Sequence, residues 1–155
     1  MTLLARLKPL VRRTVTAAAL LRRPMSLGVR VFLAEEGRVF LVRHTYLPGW
    51  YLPGGGVDAG ETAAEAARRE LAEEGGLGVE DLDLFGLYLN RRASRRDHVA
   101  LFVGSGIEPL PPRPRDREIA ETGFFPLEAL PADTTGATRR RIAEILEGRR
   151  PDPLW

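Results

Sequence analysis

The chain has 155 residues, enough for one domain with a substantial core. Its 44% hydrophobic and 28% charged content excludes wholesale disorder, and a formal net charge of +2 argues against a nucleic-acid-type polycation, so no DNA binding is expected. The absence of cysteine excludes disulfides and thiolate chemistry and suits a cytoplasmic protein. Arg outnumbers Lys 22 to 1, which genome base composition explains without any binding role.

The first segment, residues 1–26, is basic: residues 1–30 hold seven basic side chains and no acidic one. Leu10, Val11, Thr14, Ala18 and Leu21 share one helical face, and Pro9 suits the first turn of such a helix. Three uses compete for it: an accessory helix packed on the domain or a partner, a surface helix contacting anionic lipid, or a targeting peptide. No stretch reaches the roughly 20 apolar residues of a membrane-spanning helix.

Downstream, 29–34 and 39–43 read as strands around a turn at Glu35-Glu36-Gly37. Residues 47–56, rich in Pro, Gly and aromatics, read as a loop with a short extended piece. A helix is expected over 62–74, stopped by Gly75-Gly76. Residues 82–90 and 99–105 read as a strand pair joined by a basic turn, 109–117 as a proline-rich loop, 121–126 as a strand and 138–146 as a closing helix. The tail 148–155 is expected to be loosely held.

The helix over 62–74 carries the chemistry. With Glu70 at zero on the helical wheel, Glu73 falls at roughly −60° and Glu74 at roughly +40°. Ala63, Ala66 and Ala67 share this sector, so the acidic face is also the small apolar face that meets the protein body. Clustered inward carboxylates repel one another and are costly to desolvate, and a hard divalent cation relieves both. The alternative is a solvated acidic helix with ordinary ion pairs.

The spacing is specific. Gly55, Glu61, Arg69-Glu70-Leu71, Glu73-Glu74 and Gly76-Leu77 place nine constrained positions within 23 residues. This stretch resembles the Nudix box, and the resemblance is strongest over about 27–128. It implies an α/β fold: a Nudix-type α/β/α sandwich with a mixed sheet over 27–147, here with an N-terminal accessory helix. It implies an enzyme that hydrolyses a phosphoanhydride in a nucleoside diphosphate linked to another group, with Mg²⁺, or Mn²⁺ in its place, as cofactor. By the same resemblance Glu70, Glu73 and Glu74 match the metal-ligand glutamates, and Gly54 the position whose carbonyl joins them. Arg69 and Glu61 match a bracing pair, and Leu71 and Leu77 the apolar anchors. Glu118 matches a late carboxylate that acts as ligand or base, a role open to Glu121 as well.

Arg30, Arg43 and Tyr51 are the candidate substrate contacts, the arginines for phosphate and the tyrosine for stacking. His44, which follows a strand, and His98 read as structural or exposed in preference to a substrate contact. The partner implied is a small nucleoside diphosphate derivative; membrane-surface contact through the N-terminal helix and homodimer formation both stay open. Three other readings survive: a weak or regulatory nucleotide-binding module, a hydrolase of a non-nucleotide diphosphate, and a prenyl-diphosphate isomerase, which generally needs a cysteine this chain lacks.

Overall fold

The computed structural model describes residues 25–111 and 118–155; the helix expected within 1–26 lies, but for Met25 and Ser26, outside them. Five strands form one mixed sheet in the order β3-β4-β1-β2-β5. They are β1 (Ser26–Glu35), β2 (Arg38–His44), β3 (Leu77–Leu89), β4 (Asp97–Pro109) and β5 (Ile119–Pro126). β1 runs parallel to β4, while the β1–β2, β2–β5 and β3–β4 pairs are antiparallel.

A two-residue turn, Glu36-Gly37, joins β1 to β2, both residues at positive φ, as the twist of a tight hairpin requires. The two strands pair only beside this turn, at Ala34–Val39 and Glu35–Arg38. Beyond it they diverge, and the glycine-rich segment fills the wedge. Val42 and Tyr51 exchange two backbone hydrogen bonds of 2.9 Å. On the other side Val31 N–H donates to the Pro53 carbonyl at 2.9 Å and Val29 N–H to the Gly55 carbonyl at 2.8 Å. The segment expected to be a loop is therefore stitched into the sheet from both sides.

Helix α1 (Ala63–Glu70) starts with a capping box: Thr62 Oγ1 accepts the Glu65 N–H, and the Glu65 carboxylate accepts the Thr62 N–H. From Leu71 to Gly75 the helix widens into one π-helical turn, then stops at Gly76 in the left-handed conformation. The helix thus spans the expected length, but Glu73 and Glu74 lie on the π turn, where the 100° step of the α-helical wheel no longer applies.

Alternation along β1 sends residues to two cores. Val29, Val31 and Leu33 pack with Ala66, Ala67 and Leu71 beneath α1. Phe32 joins Leu41, Trp50, Leu52, Tyr88 and Ile142 beneath α2 (Gly136–Leu146) on the opposite face. The result is a helix–sheet–helix sandwich. β3 and β4 run 13 residues each, longer than their sequence pattern suggests.

The segment after α2 is held, contrary to the loose tail expected. Leu89 N–H donates to the Pro153 carbonyl at 2.9 Å, and Trp155 N–H donates to the Leu89 carbonyl at 3.1 Å. Arg141, buried at 1% exposure, donates to the Leu154 carbonyl at 2.7 Å and to Glu144 at 2.8 Å. Glu144 also accepts the Tyr88 hydroxyl at 3.0 Å and the Asp152 N–H at 3.2 Å. Burial, and then the Glu144 carboxylate, push the Tyr88 hydroxyl pKa upward.

Candidate active site

Arg69 braces the helix against the loop. It donates Nε to Glu61 Oε1 at 2.9 Å and a terminal nitrogen to Glu61 Oε2 at 3.2 Å, a bidentate pair. It also donates to the Gly56 carbonyl at 2.9 Å, to Glu70 Oε1 at 2.7 Å and to Glu73 Oε2 at 3.3 Å. One guanidinium thus ties loop to helix and orients two box carboxylates. The hydrogen bonds from Arg69, and then that from the Asp58 N–H at 3.0 Å, hold the Glu61 carboxyl below its ordinary pKa.

The loop glycines admit the carboxylates. Glu74 is 7% exposed, and its Oε2 accepts the Gly54 N–H at 2.7 Å. Glu70 is 13% exposed, and burial raises its carboxyl pKa against the opposing pull of Arg69. A Cβ on Gly55 would lie 2.7 Å from the Glu70 carboxyl carbon. A Cβ on Gly54, at φ +141°, would lie 2.9 Å from the Arg30 Cα and strike the Val29 carbonyl. Neither position has room for a side chain, so the close approach of loop and carboxylates depends on both glycines.

Arg30, expected to reach substrate, donates to the Gly54 carbonyl at 2.5 Å and to the Leu52 carbonyl at 3.1 Å. Its guanidinium carbon stands 6.0 Å from the Tyr51 ring centroid. Tyr51 in turn lies 5.6 Å from the His44 ring, and Tyr46 lies 5.4 Å from it. His44 is buried, with Nε2 3.9 Å from Glu74 Oε1. Sequence reasoning favoured a structural or exposed His44 over a substrate contact; its place at the last position of β2, 3.9 Å from Glu74, is what puts it in the cluster.

The late carboxylates separate. The Glu118 carbonyl accepts the Thr45 N–H at 2.8 Å, and a Glu118 carboxylate oxygen lies 3.5 Å from the Tyr46 hydroxyl. Burial, then the charges of Glu118 and Glu74, raise the Tyr46 pKa. Glu118 thus reaches the cluster through Tyr46, which packs against His44. Glu121 instead pairs with Arg43 at 3.6 Å across β2 and β5, both well exposed. Arg43, expected at the substrate, lies in this surface pair and lines neither of the clefts described next.

Two open clefts adjoin the loop. One, of about 320 Å³, is lined by Gly55, Gly56, Arg30, Asn90, Asp97 and Trp155 among others. The second, of about 240 Å³, is lined by Tyr51, Leu52, Arg92, the first turn of α2 and again Arg30, Asn90 and Trp155. Among the described residues no three His, Cys, Asp or Glu side chains already converge as a metal cage. Glu70 and Glu73 turn toward Arg69 and Glu74 toward Gly54. The donors are nonetheless all oxygen, and a cation that keeps several waters takes only one or two carboxylates. In donor chemistry the residues fit Mg²⁺ or Mn²⁺.

The NUDIX domain family model matches residues 23–145. The chain belongs to the Nudix family. Over 75 residues it is 41% identical to a "Putative 8-oxo-dGTP diphosphatase" of Bacillus subtilis (strain 168), covering 48% of this chain and 49% of that protein. Over 81 residues it is 38% identical to an RNA pyrophosphohydrolase of Xanthomonas campestris pv. campestris (strain B100), covering 48% of this chain and 40% of that one. Both matches thus span less than half of the relative. Among solved structures, a MutT NUDIX hydrolase from Burkholderia pseudomallei superposes with a TM-score of 0.68 at 24% identity, over 79% of this chain and 99% of that one. A NUDIX hydrolase from Nitrosomonas europaea gives 0.70 at 20% identity, over 81% and 91%. At those identities the two structures speak for the fold, which is the Nudix sandwich with its mixed sheet.

Proposed function

We propose that this Nudix protein is a divalent-metal-dependent hydrolase that splits a phosphoanhydride bond, with water as nucleophile, in a nucleoside diphosphate joined to another group. One observation carries the reading: Glu74 binds the Gly54 amide while Glu70 lies against Gly55, so two carboxylates and one backbone strand meet at a single place. Glu70, Glu73, Glu74 and the Gly54 carbonyl would hold Mg²⁺ or Mn²⁺. When bound, the ion supplies charge neutralisation at phosphate oxygens and acidifies water.

The chain's own groups do the rest. Arg69 keeps Glu70 and Glu73 on the loop side of the helix, and Arg30 brings a permanent positive charge to the rim of both clefts. Glu118, beside Tyr46, is the group proposed to take the water's proton. The relatives named for 8-oxo-dGTP and RNA diphosphate chemistry favour a nucleotide over a non-nucleotide diphosphate.

Purified protein assayed with Mg²⁺ or Mn²⁺ against nucleoside triphosphates, nucleoside diphosphate sugars, dinucleoside polyphosphates and 5′-triphosphorylated RNA tests the reading. We expect turnover of at least one member to phosphorylated products. No turnover of any of them with either ion would overturn it.

A further inference from the structure

Trp155, which the sequence left without a role, lines both clefts. It is held there from behind. Its N–H bonds to Leu89, its ring meets Tyr88 edge-on at 5.4 Å, and the buried Arg141 lies 5.5 Å from its ring centroid. Arg141, Glu144 and Tyr88 form a buried polar network whose bonds also secure Leu154 and Asp152. Such a network fixes one arrangement of a segment that composition alone would leave free.

The clefts share a further residue with the proposed chemistry. Arg30 borders both and bonds the Gly54 carbonyl. Whole small-molecule pockets run to roughly 300–1,000 Å³, so the cleft of about 240 Å³ alone suits part of a ligand and the one of about 320 Å³ a small ligand only. A diphosphate at Arg30 therefore leaves its organic end beside Trp155. Indole presents a broad apolar face, which favours a flat aromatic ring over a sugar.

We propose that Trp155 is the stacking wall for the nucleobase of the bound nucleotide, an inference that rests on the reading of this site as a nucleotide site. It makes the segment after α2 part of the binding site.

The test compares ligands that differ only in the base. AMP and GMP are titrated calorimetrically into the full chain with Mg²⁺, beside ribose 5-phosphate. The wild-type protein should bind at least one mononucleotide about fivefold or more tightly than ribose 5-phosphate, the low end for stacking one base on an aromatic side chain. Trp155→Ala should bring that ratio close to one, and Trp155→Phe should keep most of it. A ratio unchanged in Trp155→Ala, equal weakening of all three ligands, or no preference in the wild type would overturn the proposal.

A second measurement needs no variant. Trp50, the other tryptophan, is buried at 5% exposure, so quenching by mononucleotide but not by ribose 5-phosphate should come from Trp155. Absence of that quenching would also overturn the idea. Base-dependent binding in a protein that hydrolyses no diphosphate would refute the hydrolase reading and leave this one standing.

Discussion

Arg30 donates one hydrogen bond to the carbonyl of Gly54, at 2.5 Å, from the rim of both clefts. The same nitrogen reaches the Leu52 carbonyl, so one side chain fixes the loop backbone at two points. A planar guanidinium is preorganised for such contacts in a way an ammonium on a flexible stem is not. Arg30→Lys should therefore lower kcat/KM by roughly tenfold or more although charge is kept, about the cost of one charge-assisted hydrogen bond. Steady-state kinetics on the best substrate of the panel check this. A wild-type kcat/KM in Arg30→Lys would mean that charge alone matters there.

Gly54 and Gly55 should fail in different ways. A methyl on Gly54 strikes backbone, at a positive φ unfavourable to other residues, so Gly54→Ala should lower Tm by several degrees. The nearest atoms to a methyl on Gly55 are those of the Glu70 carboxylate, the end of a flexible side chain rather than backbone. Gly55→Ala should keep most of the stability while losing activity by roughly an order of magnitude or more, because Glu70 leaves its place. Thermal melts beside kinetics separate the two. Equal Tm losses would show that the carboxylate has no freedom to move.

Glu73→Gln and Glu74→Gln should each lower kcat roughly a hundredfold or more with the fold retained, and exhaustive chelation should abolish turnover. Glutamine keeps an acceptor for the Gly54 N–H at Glu74, so the change removes charge more than structure. Wild-type rates in either variant, or turnover after chelation, would count against the proposed metal site.

The helix cap and brace set an acid limit. Arg69, with the Asp58 N–H, holds the Glu61 carboxyl below its ordinary pKa, and the Thr62 N–H and hydroxyl do the same for Glu65. A carboxyl pKa lower in the folded than in the unfolded state favours folding while the group is ionised. That stabilisation is present above the unfolded pKa of about 4.3 and is lost as pH falls through the depressed folded value. Glu70 is shifted the other way by burial and opposes this trend. In chelator, the Tm gap between wild type and Glu61→Gln should be widest near pH 7 and close progressively below pH ~4. A gap independent of pH would mean that Glu61 acts by shape rather than charge.

Much of this was legible in the sequence, because local signals and tertiary packing agree there. The helix start near Thr62, the Gly75-Gly76 stop and the turn at Glu36-Gly37 are local chemistry and lie where the sequence puts them. The extra length of β3 was hidden because Glu80, Asp81 and Asp83 interrupt its apolar alternation, as an edge strand permits. The π turn was hidden because its residues are ordinary helix formers. The tail misled because proline and arginine suggest disorder, whereas Arg141, Glu144 and Tyr88, distant in sequence, hold it. His44 and Trp155 gave no motif, and only three-dimensional neighbours show their place.

The last prediction concerns the general base. Glu118 and Glu121 lie three residues apart near the start of β5, and composition does not distinguish them. The structure does. Glu118 stands beside Tyr46, whose ring lies 5.4 Å from that of His44, and His44 in turn lies 3.9 Å from Glu74. Glu121 is spent on an exposed pair with Arg43, a contact worth at most about 1 kcal/mol. Glu118→Gln should thus lower kcat substantially, by roughly a hundredfold for a lost general base, while Glu121→Gln changes it little. The acidic limb of the kcat–pH profile, which reports the base in its ionised form, should disappear with Glu118→Gln and persist with Glu121→Gln. An unchanged limb and rate in Glu118→Gln would remove it from the mechanism. The base would then be sought in the box itself, with Glu70 first, since burial raises its carboxyl pKa toward the range a base needs.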